Sequence, residues 1–461
     1  MALTEQRDVQ QAKPRRLAIS DNGRYFIDAD GRPFLYLADT AWTLFKRLTL
    51  DEVDHYFSNR VAKGFTVIQA YVLRGLEVPN LYGELPLIDH DPTRLNEPFF
   101  RNIDEIVGRA GRHGLTMGLV ATMGAHVQHV TGRSERYSTS EAIFDTENAF
   151  TYGELLGARY KDRDVIWYLG GDHNPSEETI GIWDAMAAGL KTGGEGRSLV
   201  SYHVTGGASS STLLHQRDWL DFNAPQSGHR SAEPTYEYIS NDYAMVPVKP
   251  TLDMEARYED IPDGLFYPRI VSNPSGRIDA HQVREAAYWA LLAGAAGHGY
   301  GHCSIWGMHD GIEQDPRDYS FPQCLPRAHW LAALDSPGAY AMGYLRKLLE
   351  LRPWYRLVPD QSLIVAGQGE GEDHVQAARA DDGSFALAYL PFGHVVIAKT
   401  SLITGSSVRA RWFDPRLGTF TQIGQHPNRD IREFVPPSMG DDDDWVLVLE
   451  DASKDFPIEQ G

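Results

Sequence analysis

Short apolar runs alternate with helix-like segments along the first three quarters of the chain. Most of these segments carry helical end signals, such as the capping box that Thr49 and Glu52 form before a helix ending at Lys63 and Gly64. This alternation predicts βαβ units, and runs this apolar are typical of parallel strands buried on both faces. Eight such units favour a (β/α)8 TIM barrel. The predicted strands are 34–38, 66–72, 116–122, 165–169, 199–203, 219–224, 250–254 and 299–306.

Further helices are predicted at 102–112, 282–296 and 328–351, and the segment between the fifth and sixth strands has the weakest helical pattern. Residues 24–38 predict a hairpin, because Asp30-Gly31 supplies the positive φ that a tight turn needs. The main alternative fold is a doubly wound open sheet. That fold usually carries a glycine-rich turn after its first strand, but residues 38–42 are Ala-Asp-Thr-Ala-Trp.

The pattern changes at Pro353, after which short alternating runs are separated by turns such as Asp381-Asp382-Gly383. This pattern is typical of an all-β sandwich. We therefore predict an N-terminal tail at 1–23, a catalytic barrel at 24–355 and a C-terminal β-sandwich at 356–455. The predicted strands of the sandwich are 362–366, 375–380, 385–390, 395–397, 408–413 and 445–449.

The charge balance limits the class of partner. There are 63 acidic and 43 basic residues, which gives a formal net charge of −20. A surface this acidic repels phosphate backbones and anionic lipids, so we expect neither nucleic acid nor a membrane as partner. Residues 1–20 contain no apolar core of signal-peptide length, which predicts a cytoplasmic protein. Two cysteines, Cys303 and Cys324, fit reduced thiols better than a disulfide framework.

Polar and aromatic residues follow the predicted strands at the end where a barrel carries its active site. Carboxylates, amides and imidazoles can bind sugar hydroxyls, and aromatic rings can pack on the apolar face of a sugar. This set predicts a small-molecule glycoside or oligosaccharide as the ligand. The candidate substrate-binding residues are Asp39, Trp42, Gln69, His126, His173, Asn174, His203, Gln226, His229, Tyr258 and Trp306.

Two carboxylates stand out among these positions, because glycosidic cleavage generally needs one carboxyl group as acid and a second as nucleophile or base. Asp172 ends the fourth strand and Glu255 ends the seventh, so the barrel would place them across its mouth. We predict that they are the catalytic pair. Each has a structural alternative: Asp172 could cap the helix that begins near Ser176, and Glu255 could pair with Arg257 or Arg284. Glu259 is the reserve catalyst, and Asp39 could pair with Arg74 instead of binding sugar.

Other chemistries are less well supported. His126 and His129, and His298 and His302, have spacings compatible with metal binding, but the first strand lacks the His-x-His of barrel metallohydrolases. We predict no metal ion and no other cofactor. The segment 226–229, Gln-Ser-Gly-His, lacks the leading glycine of a serine nucleophile elbow.

Several segments together resemble glycoside hydrolase family 140, the apiosidase family: WYLGGDHNP, FNAPQSGH, KPTLDMEARYED and YWALLAGAAGHGYGHCSIWGM. The tail segments FDPRLGTFTQIG and DDDDWVLVLED resemble its accompanying β-domain, which carries a collagen-binding label. The resemblance implies a barrel with a sandwich, no metal, and hydrolysis of apiose glycosides by Asp172 and Glu255. It also implies retention of anomeric configuration, although Gly-Asp replaces the usual Asn-Glu on the fourth strand. His173 stands where the familiar motif has Arg.

The expected substrate is a small plant apioside, such as a flavonoid or phenolic glycoside. Two alternatives stay open on the sequence. The chain could be a glycosidase for another pentose, such as an arabinofuranoside or a xyloside. It could also be a non-catalytic carbohydrate- or protein-binding module, in which case loss of Asp172 or Glu255 would leave its function intact.

Overall fold

The computed structural model describes residues 15–128, 142–265, 276–311, 324–440 and 443–457. A parallel barrel is followed by an antiparallel sandwich, which confirms the predicted fold class. Barrel strands 1 to 5 pair in chain order, and strand 8 pairs with both strand 7 and strand 1. These strands are Tyr36–Thr40 (strand 1), Val67–Leu73 (2), Thr116–Thr122 (3), Val165–Leu169 (4), Val200–Tyr202 (5), Leu252–Asp253 (7) and Gly297–His302 (8).

Extended backbone at 221–225 occupies the position of strand 6 and closes the barrel. The Asp221 N–H donates to the Val200 carbonyl at 2.9 Å, and the Asn223 N–H donates to the Pro250 carbonyl at 2.8 Å. Four residues after Pro250, the Met254 N–H donates to the Pro225 carbonyl at 2.9 Å. The predicted strand 219–224 therefore runs where it was expected, with too few paired residues to form a regular strand.

Helices surround the barrel. The predicted capping box forms, since the Thr49 side chain accepts from the Glu52 N–H and the Glu52 side chain accepts from the Thr49 N–H. The predicted helix 328–351 is instead two helices, because Pro337 has no N–H to continue the first one. The α-helices are Leu44–Arg47, Leu50–Ala62, Glu97–Arg112, Thr146–Tyr160, Ile180–Gly193, Ser211–Leu214, Thr235–Tyr243, Ala280–Leu292, Trp330–Ala333 and Pro337–Glu350.

Short elements complete the barrel domain. The predicted hairpin forms between Phe26–Ile27 and Pro33–Phe34, and Ala18–Ile19 joins it as a third strand. Ala208–Ser209 pairs with Pro225–Gln226, and Tyr258–Glu259 pairs with strand 8. The Cys303 Sγ donates to the Cys324 carbonyl at 3.0 Å, and both cysteine side chains are buried thiols. Within the described ranges, no helix has the length and apolarity needed to cross a membrane.

The C-terminal sandwich contains a six-stranded and a three-stranded antiparallel sheet. Its core includes Trp412 and Leu447 from the large sheet and Phe434 from the small sheet. The large sheet has the order Leu357–Pro359, Gln376–Ala380, Phe385–Leu390, Trp445–Asp451, Ser407–Asp414 and Thr419–Pro427. The small sheet has the order Ile364–Ala366, Val396–Ala398 and Arg432–Phe434. Single 3-10 turns lie at Gly124–His126, Trp354–Arg356, Gln361–Leu363, Gly371–Asp373 and Thr400–Leu402.

The sandwich packs on the barrel helix Ala280–Leu292. Arg284 makes two hydrogen bonds of 2.8 Å to the Asp444 carboxylate, and both side chains are buried. The rings of Tyr288 and Tyr389 stack beside this pair, with centroids 4.6 Å apart and planes 4° from parallel. Because the helix connects strands 7 and 8, the sandwich supports the part of the barrel that carries Glu255.

Candidate active site

Asp172 lies at the end of strand 4 on an unusual turn. Gly170, Gly171 and Asp172 have φ values of 89°, 56° and 64°, all in the left-handed region. A Cβ atom at Gly170 would overlap the His203 carbonyl oxygen, and one at Gly171 would overlap the Thr122 carbonyl oxygen. The two glycines are therefore required by both backbone conformation and space. Asp is one of the few residues other than glycine that adopt this conformation, and here the surrounding structure must hold it.

Glu255 follows strand 7 and is 6% exposed. The Tyr258 hydroxyl donates to Oε1 at 2.5 Å, and the His203 Nε2 lies 2.8 Å from Oε2. The His229 Nε2 lies 3.4 Å from Oε1. Burial would raise the pKa of Glu255, but the hydrogen bonds from His203 and His229 outweigh it and hold this pKa well below its usual value. Glu255 is therefore held as a carboxylate.

The environment of Asp172 has the opposite effect. Removal from water is the first cause that raises the pKa of Asp172, and the negative charge of Glu255 is the second. The Gln226 side-chain amide, with its nitrogen facing the carboxyl group, reaches Asp172 Oδ1 at 3.3 Å. The pKa values of the two carboxyl groups are thus pushed apart, a pattern that suits one group to donate a proton and the other to stay anionic.

Four of the predicted sugar ligands lie around Glu255: three contact its carboxylate, and Trp42 contacts two of those three. The Trp42 Nε1 donates to the Tyr258 hydroxyl at 2.7 Å, and its ring meets the His203 ring edge-on at 5.4 Å. The His229 and Tyr258 rings lie 4.2 Å apart. These side chains orient the Glu255 carboxylate, and His203 has both ring nitrogens engaged.

Asp39 and Gln69 do not reach the mouth. Asp39 is fully buried, with its carboxylate 3.2 Å from the Arg60 guanidinium and 2.7 Å from the Tyr56 hydroxyl. Its side chain faces the helix Leu50–Ala62. The predictions that Asp39 binds sugar or pairs with Arg74 are therefore wrong, and Asp39 forms an ion pair with Arg60 instead. Gln69 lies inside the barrel, where it accepts from the Tyr36 hydroxyl at 2.8 Å and donates to a backbone carbonyl. The prediction that Gln69 binds sugar is therefore also wrong, and Gln69 is a structural residue.

His126 and His173 are buried beside Asp172. The His126 Nδ1 lies 2.8 Å from the Thr122 Oγ1, and burial lowers the pKa of His126 to about 3. The His173 Nδ1 donates to the Gly171 carbonyl at 3.0 Å. The Nε2 atoms of both rings are shielded from solvent and face no hydrogen-bond partner in the described part of the chain. His173 therefore supports the Asp172 turn from within, whereas His126 is held by Thr122 of strand 3.

Asn174 lies at an open position, whereas Trp306 is buried, with 4% of its surface exposed. Asn174 is exposed, and its Oδ1 accepts from the Thr205 N–H at 3.3 Å. Arg74, which sequence reasoning considered only as a partner of Asp39, has its guanidinium 5.1 Å from the Tyr71 ring and 5.0 Å from the Trp306 ring. The available signal was its position directly after strand 2. Arg74 joins Trp306 and Asn174 as a wall residue of the candidate site.

The structural alternatives for Glu255 do not form. Arg257 pairs with Glu285, and Arg284 pairs with Asp444. The reserve catalyst Glu259 accepts from the Tyr300 hydroxyl at 2.7 Å and from the Gly338 N–H at 3.0 Å, which makes it a structural residue.

The helix-capping alternative for Asp172 is also unsupported. The helix Ile180–Gly193 has Thr179 at its N-cap, and Asp172 takes no part in it. Among the described residues, no group of three or more His, Cys, Asp or Glu is placed to hold a metal ion. His129 lies outside the described residues. His298 is enclosed in the barrel, where burial lowers its pKa to about 3.

A TIM barrel with two carboxyl groups at its carboxyl end is an arrangement typical of glycoside hydrolases. Residues 20–356 match the apiosidase-like catalytic domain, and the chain belongs to that family. Residues 358–450 match a family that carries the name of a collagen-binding domain of a collagenase. The resemblance to the apiosidase family is thus confirmed, whereas a search of curated proteins found no match.

Solved structures agree with this assignment. A protein titled glycoside hydrolase is 30% identical over 96% of this chain and 98% of its own, with a TM-score of 0.85. A family 5 glycoside hydrolase from Bacteroides vulgatus is 29% identical over 97% of this chain and 95% of its own, also with a TM-score of 0.85. A family 5 mannosidase from Rhizomucor miehei is 13% identical over 74% of this chain and 98% of its own; its TM-score of 0.52 reflects the shared fold alone.

Proposed function

We propose that this glycoside hydrolase is a β-apiosidase, which releases terminal or branch apiose from apiose-containing plant glycosides with retention of configuration. The observation that carries the mechanism is the contrast between Asp172 and Glu255. The pKa of Asp172 is raised by burial and by the nearby charge, whereas the imidazoles of His203 and His229 hold the pKa of Glu255 low. The family match supports the choice of apiose among pentoses.

Each carboxyl group has one role in the proposed reaction. Asp172 donates its proton to the glycosidic oxygen while Glu255 Oε attacks the anomeric carbon, so the bond to the leaving alcohol breaks and a glycosyl–enzyme ester forms. The Asp172 carboxylate then takes a proton from water. That water attacks the anomeric carbon and returns Glu255 to its anionic form. Loss of charge on Glu255 after the first step lowers the pKa of Asp172, which favours its change from acid to base.

A small neutral substrate is consistent with the charge of the chain. With a net charge of −20, the surface disfavours close approach of a polyanionic polymer such as an acidic polysaccharide. A flavonoid or phenolic apioside carries no such charge. We propose action on such small apioside molecules in the cytoplasm.

Incubation with apiin and detection of free apiose tests the substrate, with arabinofuranosides and xylosides as comparison substrates. We expect apiose release with a higher kcat/KM than for either other pentose. Absence of release from every apioside would refute the proposal. Faster cleavage of an arabinofuranoside or a xyloside would replace apiose by that pentose. Proton NMR of the product in the first minutes distinguishes retention from inversion.

Variants of the two carboxylates test the roles. Asp172→Asn should lose activity by about 10²–10⁴-fold, the usual contribution of acid–base assistance. Glu255→Gln should lose at least as much, because the amide is no nucleophile. Asp172→Ala should keep the first step on an apioside with a nitrophenolate leaving group, which needs no protonation, whereas Glu255→Ala should not. Glu259→Gln is the matched control, since its carboxyl group lies in the same segment but bonds to Tyr300 and Gly338. Full activity of Glu255→Gln would contradict the mechanism.

A further inference from the structure

His203 connects the two proposed catalytic residues through its imidazole ring. Its Nδ1 accepts from the Asp172 backbone N–H at 2.9 Å, and its Nε2 lies 2.8 Å from Glu255 Oε2. The side chain is 1% exposed, so neither ring nitrogen is left to bind a sugar hydroxyl. We infer that His203 is a positioning residue that couples the placement of Asp172 to the orientation of Glu255. This inference rests on the proposed function of the two carboxyl groups.

The hydrogen bonds determine where the ring carries its hydrogen. A backbone N–H can only donate, so Nδ1 of His203 must present a lone pair to Asp172. The hydrogen of the ring is therefore on Nε2, which donates it to the Glu255 carboxylate. Addition of a second hydrogen at Nδ1 would break the bond to Asp172. His203 should consequently keep one tautomer throughout the reaction.

The Asp172 side of this connection restrains a strained backbone. Asp172 has φ of 64° after two glycines of positive φ, a conformation that costs an L-residue energy. The bond from its N–H to His203 is the side-chain contact that holds the turn against strand 5. A backbone bond of 2.7 Å from the His203 N–H to the Leu169 carbonyl aligns the same two strand ends.

The ring itself has little freedom to move. Trp42 meets it edge-on with planes 78° apart, and the Tyr71 ring lies 6.2 Å away at 56°. These contacts prevent the imidazole from turning away from Glu255. The titratable and charged groups that face the connected carboxyl groups come from four parts of the barrel mouth: Tyr71 and Arg74, His173, His229, and Tyr258.

Two variants separate the two ends of the ring. In His203→Asn, the side-chain oxygen can replace Nδ1 as acceptor for Asp172, but the donor to Glu255 is lost. In His203→Gln, the side-chain nitrogen can replace Nε2 as donor to Glu255, but the acceptor for Asp172 is lost. Each hydrogen bond to a charged or strained group contributes a factor of about 10–100, so both variants should lose kcat/KM by about that factor.

The pH dependence of kcat/KM distinguishes these losses. For His203→Asn, the acid limb should move up by about one pH unit, because Glu255 loses a donor to its carboxylate. For His203→Gln, the acid limb should stay at the wild-type position while kcat falls. The inference is overturned if both variants keep the wild-type rate and acid limb. A wild-type protein that cleaves no glycoside would instead refute the proposed function.

His215→Asn is the matched control for removal of a buried imidazole. His215 is also buried, with Nδ1 3.1 Å from Asn223 Oδ1 and Nε2 2.9 Å from the Pro247 carbonyl, but it contacts neither carboxyl group. It should lower the unfolding midpoint and leave the acid limb unchanged. If His215→Asn moved the acid limb as His203→Asn does, the effect would be one of general stability and the inference would fail.

A spectroscopic measurement tests the tautomer without substrate. In protein labelled with ¹⁵N-histidine, the ring signals that disappear in His203→Asn belong to His203. We expect a bare Nδ1 and a protonated Nε2 in the folded wild-type protein at neutral pH. A His203 ring that carries its hydrogen on Nδ1 would overturn the inference.

Discussion

Removal of the Tyr258 hydroxyl should raise the pKa of Glu255 and loosen the orientation of its carboxylate. The hydroxyl accepts from Trp42 Nε1 at 2.7 Å and donates to Glu255 Oε1 at 2.5 Å. Tyr258→Phe removes both bonds and keeps the ring, which can still pack on His229. The variant therefore changes hydrogen bonding with little change in shape.

The magnitude follows from these two bonds. A hydrogen bond to a charged group contributes about 1.5–3 kcal/mol, which corresponds to a rise of about 1–2 units in the pKa of Glu255. The acid limb of the kcat/KM profile should move up by the same amount. A carboxylate that loses its orientation should also lower kcat/KM about 10–100-fold at the optimum. The buried Trp42 N–H, left without its acceptor, should reduce the free energy of unfolding by about 1–3 kcal/mol.

The assay is kcat/KM against pH, combined with urea unfolding. Tyr202→Phe is the matched control: this buried hydroxyl has no hydrogen-bond partner in the described structure, so its removal should leave stability and the acid limb almost unchanged. A Tyr258→Phe enzyme with the wild-type acid limb and rate would refute the view that the Tyr258 hydroxyl keeps Glu255 ionised and oriented.

Three further predictions concern stability. Burial raises the pKa of Asp253 from 3.8 to about 7, so the stability that this residue contributes at acid pH is lost as pH rises towards 7. Asp253→Asn should therefore unfold like wild type at about pH 4 but be more stable, by up to about 4 kcal/mol, at about pH 8 in urea titrations. Arg284→Leu should lower the free energy of unfolding by about 3–5 kcal/mol in the same assay, because Asp444 stays buried without its partner. The double variant with Asp444→Leu should recover most of this loss. If Arg284→Leu were as stable as wild type, the pair would have no such role. Gly171→Ala should abolish activity and lower the melting temperature. Wild-type activity and melting temperature in this variant would contradict the overlap argued for a Cβ atom at Gly171.

Local sequence patterns predicted most strands of the barrel correctly. They failed for strands whose side chains are little buried or whose pairing is short. The strands at 116–122 and 165–169 were predicted at their observed bounds, because continuous apolar runs are typical of strands buried on both faces. The sandwich strand Thr419–Pro427 was not predicted. It lies at a sheet edge, and most of its side chains are exposed or only partly buried, so it has no apolar alternation to reveal it.

The candidate site shows the same division. The ends of strands 4 and 7 meet at one end of the barrel, so strand order alone predicts that Asp172 and Glu255 come together. Sequence could not decide which way Asp39 points. Side chains alternate between the two faces of a strand, and Asp39 pairs in register with Ile68, whose side chain packs with the outer helices. A shift of one residue in this alternation changes a predicted sugar ligand into a structural ion pair.

The roles of the histidines were harder to predict from the sequence, because an imidazole can bind a substrate and a neighbouring side chain equally well. A pattern of types and spacings cannot distinguish these uses, since the outcome depends on which partners lie within 3 Å of each ring nitrogen. At this barrel mouth His203 and His229 serve Glu255, and His173 serves the Asp172 turn. The polar residues that look like a sugar-binding set in the sequence thus act mainly to make two similar carboxyl groups chemically different. Recognition of the sugar must then depend more on the groups that remain open, so substitutions at Asn174 should change KM more than kcat, and substitutions at His203 the reverse.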